Sequence, residues 1–354
     1  HRFSKLLHSV EQCTGAARAH SAAVPDRAAS PGDAATPGNA ASAGNVGLTM
    51  LRLRLLRGGL LMLSAGLLAG ACQAGVWRYC DAPPPLDAAQ QDRLLRFAAI
   101  VKSTLERSGD RVALVARSGL DLSRFGMRYS HAGISLKASR NTPWSVRQLY
   151  YACDDRRPRI FDQGLSGFVF GSDQADIGYL SAVFLPADRA ALIEHAALDE
   201  RQATHVLGGD YSANAYPFSR QYQNCNQWLL ELLATTWDAA SPDDTEPPRA
   251  RAQRWLAQQG YRPSLFQVSP APLMWLGVLI PWVHSDDHPP EDVALGVYRV
   301  SMPASIEAFV KATVPGATRV EFCHTEHHVV VRRGWTSIPE GCRPEDGDEV
   351  YRFD

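Results

Sequence analysis

Apolar positions along this chain recur in two rhythms, and the switches between them mark its elements. Leu94, Phe97, Ala98, Val101 and Leu105 return at helical spacing. Asp87 stands ahead of them as a cap and Gly109 behind them as a stop, which predicts a helix from Asp87 to about Ser108. The run RVALVARSG (111–119) reads as a buried strand, YSHAGISLK (129–137) as a second and WSVRQLYYAC (144–153) as a third. RNTP between the last two predicts a hairpin. FDQGLSGF (161–168), with two glycines and no phosphate-loop pattern, reads as a turn able to line a cleft. GYLSAVFLP (178–186) is a fourth strand, and residues 187–208 are one or two helices ending at Gly208. A leucine-rich helix begins at Asn224, and SPDDTEPP is a linker. Beyond it the pattern gives a short helix in RAQRWLAQQG, a proline-punctuated apolar stretch from Leu273 to Val283 and a strand in ALGVYRV. A helix in SIEAFVKAT and a hairpin of TRVEFCH and HVVVRRG close the chain. Strand runs and helix runs are segregated, so the expected class is α+β.

The amino-terminal pattern is different. Residues 14–48 are mostly Ala, Gly, Pro, Ser and Asp, too poor in apolar surface to offset the entropy of ordering them. Residues 1–49 are expected to be disordered or untranslated. Met50–Ala74 has a basic start (Arg52, Arg54, Arg57), a short apolar core (Leu60–Leu68) and small residues after it, the layout of a secretory signal peptide. The expected location is therefore periplasmic or secreted, with anchoring through this segment as the alternative. The mature chain divides into a core over 75–240 and a carboxy-terminal extension over 241–354. Among its 354 residues 45% are hydrophobic and 21% charged, with a net charge of −1, which gives no electrostatic case for nucleic acid.

Export changes how cysteines are read, because they tend to pair in an oxidising compartment. The mature chain keeps Cys80, Cys153, Cys225, Cys323 and Cys342, an odd number that leaves one thiol over. Cys323 and Cys342 flank the closing hairpin and form the natural local pair, which leaves Cys80 for Cys153. Cys225 alone stands at a helix start, among the polar residues of YQNCNQWLLELLA (222–234). A cysteine nucleophile needs its thiolate, favoured by a helix amino terminus and by a nearby histidine that takes the proton. His131, flanked by small residues on a short strand, is a candidate partner.

YSHAGISLK followed by NCNQWLLELL resembles the circularly permuted branch of the papain-like, NlpC-type fold, which includes the lecithin retinol acyltransferase-like proteins. The wider region from about Cys80 to Cys342 resembles the domain of unknown function 2145 family of Gram-negative bacteria, which implies no activity. The papain-like resemblance implies an antiparallel sheet packed by a Cys-bearing helix. It implies Cys225 as nucleophile, His131 as base and then acid, and the Cys225 N–H in an oxyanion hole. The third member belongs on the next strand, where Gln148 is the polar candidate and Asp154 or Asp155 the fallback. No histidine stands there, unlike in the acyltransferase branch. Tyr222, Asn224 and Trp228 are the expected substrate contacts. The expectation is an exported hydrolase of an amide or ester, with a cell-wall peptide as first substrate. A non-catalytic envelope protein that binds is the rival. No cofactor and no membrane span in the mature chain are expected.

Two histidine clusters invite a metal reading. CHTEHH (323–328) fits no zinc-protease spacing and reads as a solvated hairpin turn, and HSDDH (284–288) reads as a loop, so no metal is expected. LMWLGVLIPWV is too short to cross a bilayer and reads as a buried segment, with a hydrophobic substrate groove second.

Overall fold

A computed structural model describes residues 86–353, except 120, 153, 173, 240–244 and 269–281. The predicted disordered segment, the signal peptide, Cys80, Cys153 and most of the Leu273–Val283 stretch lie outside the described residues.

Helix α1 (Ala88–Arg107) starts where the sequence places it. Asp87 accepts from Gln90 N at 2.7 Å, and Gln90 Oε1 accepts from Asp87 N at 3.1 Å, a reciprocal capping box. Strands β1 (Val112–Arg117), β2 (His131–Leu136), β3 (Ser145–Ala152), β4 (Arg157–Gln163) and β5 (Gly178–Phe184) follow. Helix α2 (Leu165–Phe170) lies between β4 and β5. Helices α3 (Ala187–Leu198), α4 (Glu200–His205), α5 (Cys225–Trp237) and α6 (Pro248–Gln258) come next. The rest is β6 (Ser264–Gln267), α7 (Pro290–Ala294), β7 (Val297–Val300), α8 (Pro303–Thr313), β8 (Thr318–His324), β9 (His328–Arg333) and β10 (Glu349–Arg352).

Eight strands form one sheet in the order β10-β9-β8-β5-β1-β2-β3-β4, every neighbour antiparallel. The chain is α+β, as its segregated strand and helix runs predict. β5 pairs with β8 from Gly178↔His324 to Phe184↔Thr318, so strands from after residue 240 extend the sheet built by β1–β5. The described residues belong to one compact unit. Strands β6 and β7 pair separately. Among the described residues no helix is long and apolar enough to cross a membrane.

The sheet is covered on both faces. On one, Leu94, Phe97, Val101 and Leu105 of α1 and Phe168 of α2 share a core with Val115, Val146, Leu180, Ala182, Val320 and Phe322. On the other, Leu114, Ala116, Ala132 and Val183 enclose a small cavity with Leu229 of α5 and Ile306 and Val310 of α8. Side chains alternate between these faces along every strand.

Two readings of the sequence need correction. FDQGLSGF is not a turn: its first three residues end β4, and α2 begins at Leu165 after Gly164. Period-2 patterning missed β4 because RPRIFDQ is an edge strand, with Arg157 and Arg159 facing solvent. ALGVYRV is a strand only from Val297, since Pro290–Ala294 closes a helical turn first.

Candidate active site

Cys225 is the first residue of α5 and is 3% exposed. Its sulfur is in no disulfide. Asn224 caps the helix, its side chain accepting from Gln227 N at 2.7 Å. The first-turn N–H groups have no carbonyl acceptor within the helix, so the start of α5 favours negative charge.

His131 opens β2 and is also 3% exposed. Its Nε2 lies 2.5 Å from Gln148 Oε1 on β3. Gln148 uses its Nε2 to donate to Gln163 Oε1 at 2.8 Å, which leaves its Oε1 to accept. The imidazole therefore carries its hydrogen on Nε2, and Nδ1 keeps the basic lone pair. Phe168 of α2 packs 5.9 Å from the ring, centroid to centroid.

Gly133 explains how β2 and β3 come close enough for that bond. A Cβ there would lie 2.5 Å from Val146 Cγ1 and 2.9 Å from Arg147 O. The small residue serves strand packing rather than access to the histidine. Gly133→Ala is expected to cost about 1–3 kcal/mol by overpacking. It should also disturb the His131–Gln148 bond, which a urea melt together with the imidazole NMR signal would detect.

The two chain segments meet at a side-chain bond. Asn226 Nδ2, one residue after Cys225, donates to Ser130 O, one residue before His131, at 3.1 Å. Helix α5 packs on β2 and β3. Strand alternation adds a constraint. Ala132 faces the cavity shared with Leu229 of α5. His131 pairs with Arg117, whose guanidinium stands over Phe168 on the α2 side. His131 thus shares the face of β2 that Arg117 and Phe168 line, while Ala132 takes the face that α5 covers.

The other expected site residues have different duties. Asn224 Nδ2 donates to Ala213 O at 3.3 Å and its oxygen caps α5, so its amide serves the scaffold. Trp228 is wholly buried, with Nε1 donating to Ala203 O at 3.0 Å. Tyr222 is half-buried; it stacks on His284 at 4.4 Å and bonds Asp286 through its hydroxyl at 3.2 Å. Asp154 and Asp155 lie exposed in the turn after β3, and Asp155 pairs with Arg159, so Gln148 is the one beside His131. In HSDDH, Asp287 accepts from Tyr216 N at 2.8 Å, a loop-fixing bond. Burial pushes its carboxyl up. In CHTEHH, Cys323 is bonded to Cys342, with Cα atoms 5.6 Å apart.

A buried hub behind Cys225 went unseen in the sequence. Glu231, six residues after Cys225 on α5 and wholly buried, accepts from Gln223 at 2.6 Å, Gln227 at 3.0 Å, Arg249 at 2.8 Å and Gln253 at 2.8 Å. Arg249 also donates to Tyr222 O at 2.8 Å, and so holds the loop that leads to Cys225. The one signal was a glutamate inside WLLELL, an acid where the apolar stripe should be unbroken.

No curated protein and no solved structure matches the chain. A family model matches residues 104–310, more than half of the sequence, spanning His131, Gln148 and Cys225 and ending within α8. The chain belongs to that family, described as an uncharacterized protein conserved in bacteria (DUF2145).

Proposed function

We propose that the protein is an exported cysteine hydrolase that cleaves an amide or ester through an acyl-enzyme. The observation that carries this reading is the His131 Nε2–Gln148 Oε1 bond, set next to the segment where Asn226 ties the start of the Cys225 helix to Ser130. Gln148 orients the ring and fixes its tautomer. His131 Nδ1 takes the thiol proton, and Cys225 Sγ adds to the substrate carbonyl carbon. The carbonyl oxygen gains negative charge, which the N–H groups at the start of α5 stabilise. Collapse expels the amine or alcohol, which receives the proton from His131. Water then attacks the thioester with His131 again as base, releasing the acid and the free thiol.

A cell-wall peptide is the first substrate class and a lipid-linked ester the second. The Cys323–Cys342 bond supports an oxidising compartment. A second reading is a non-catalytic envelope protein that binds through the same fold. The burial of Cys225, His131 and Gln148, each 3% exposed, favours it.

Thiol-reactive probing of the purified protein separates the two. The hydrolase labels Cys225 at pH 7 about tenfold or more faster than a free thiol, and His131→Ala removes the advantage. Labelling no faster than a free thiol selects the binder.

A further inference from the structure

The segment that leads into β2 is held by residues from the far end of the chain. Tyr129, two residues before His131, is 4% exposed. Its hydroxyl donates to Glu321 Oε1 and accepts from Arg319 Nη2 at 3.1 Å. The Glu321 side chain is wholly buried and also accepts from Arg128 Nη1 at 2.9 Å and Ile338 N at 2.7 Å. Arg319 reaches on to Glu307 of α8 at 2.9 Å. Two guanidiniums thus face two carboxylates in a nearly dry setting, with one phenol among them.

The tail closes over this cluster. Arg128 Nη2 donates to Glu340 Oε1 at 2.6 Å, and its guanidinium stands 4.2 Å from the Tyr179 ring centroid. Tyr179 OH accepts from Cys342 N at 3.0 Å, and Cys342 is bonded to Cys323 on β8. Strand β8 and the disulfide-fixed tail therefore hold Arg128 and Tyr129, while Asn226 of α5 holds Ser130.

Buried ion networks of this kind contribute weakly to net stability, but they fix geometry, because each group has only one arrangement that satisfies it. Loss of alignment of about an ångström between reacting groups costs rate steeply.

We propose that Tyr129 and Glu321 are positioning residues for His131, through which β8 and the tail beyond the family's matched region set the imidazole against Cys225 and Gln148. This inference rests on the reading of Cys225 and His131 as nucleophile and base. Neither Tyr129 nor Glu321 touches the reacting atoms in that scheme. They hold the backbone that delivers Ser130 O to Asn226 and the ring to Gln148.

The test uses the full chain with its disulfide intact and follows iodoacetamide labelling of Cys225, by peptide mass, from pH 5 to 9. Wild type, Tyr129→Phe and His131→Ala are compared, each with a thermal melt. Tyr129→Phe keeps the ring and removes one hydroxyl, so the fold is retained. Its labelling midpoint should rise by about one pH unit, with labelling about tenfold slower at pH 6. Glu321→Gln should shift it in the same direction. The His131 Nε2–H signal in proton NMR should move in Tyr129→Phe as well. If Tyr129→Phe keeps the wild-type profile and an unmoved imidazole signal while His131→Ala is slow, the positioning role is overturned and the active-site reading stands. If wild type and His131→Ala label alike, the active-site reading falls and this inference with it.

Discussion

Replacing Glu231 by leucine is expected to lower stability by about 3–5 kcal/mol. The substitution fits the leucine-rich helix, so simple hydrophobicity would predict a gain. The hub predicts the reverse. Glu231 is wholly buried and pairs with Arg249, whose side chain is itself only 10% exposed. Removing the acid leaves that guanidinium without its counter-charge and takes one of two acceptors from each of the Gln223, Gln227 and Gln253 amides. A buried charge without a partner is far more costly than a buried pair is beneficial. Adding Arg249→Met to Glu231→Leu should therefore recover a large part of the loss. Urea unfolding of the two single variants and the double variant measures this as a double-mutant cycle. A Glu231→Leu loss below about 1 kcal/mol would show that the hub is not the structural anchor of α5.

The protein should lose stability as pH falls from about 6.5 to 4, and His324 should account for about 3 kcal/mol of that loss. Burial pushes the His324 imidazole down to about 4 from its ordinary 6.5. The residue is 1% exposed and packs tilted against Phe97, ring centroids 4.7 Å apart. Gly178 makes room for it, since a Cβ there would lie 2.6 Å from Nε2. Between pH 6.5 and 4 the unfolded chain binds a proton that the folded chain refuses, so unfolding becomes more favourable as pH falls. The effect is absent above about pH 7, largest in slope between the two values, and complete only below pH 4. His324→Leu has no proton to bind and should flatten this limb. Urea midpoints of wild type and variant from pH 4 to 8 give the difference directly. Groups common to both proteins, such as Glu307, whose carboxyl burial pushes up, cancel in it. Parallel curves for the two proteins would refute the assignment.

Local features were legible in the sequence because they depend on neighbours along the chain. Asp87 and Asn224 announced their helices by side chains that reach only three residues ahead. The β2–β3 hairpin showed in its apolar runs and in the RNTP break between them. Cys225 stood out because a polar frame ahead of a leucine run is a helix start. The Cys323–Cys342 pair followed from a closing hairpin that brings its two flanks together.

Long-range partners were illegible for the same reason. Nothing near Glu231 in sequence names Arg249 as its counter-charge, and nothing near Tyr129 names Glu321, because those distances exist only after packing. His324 read as part of a solvated hairpin turn because CHTEHH straddles the break between two strand runs, but it ends β8 and is buried. In the sheet, alternation sends it towards Phe97 while Cys323 faces the other way into its disulfide. β4 escaped detection because an edge strand has one solvated flank and tolerates arginines that a central strand would exclude.

By itself, then, the sequence determined the α+β class, most helix and strand positions, the cysteine at the head of α5 and the local disulfide. All of these follow from periodicity, capping and chain proximity. Only the tertiary structure decided that strands before and after residue 240 share one sheet, that Gln148 lies against His131, that His131 takes the Phe168 face of β2, and that Glu231 and Glu321 are buried hubs. Each of those depends on strand register and on which face a side chain takes, and a shift of one residue in pairing would reverse it.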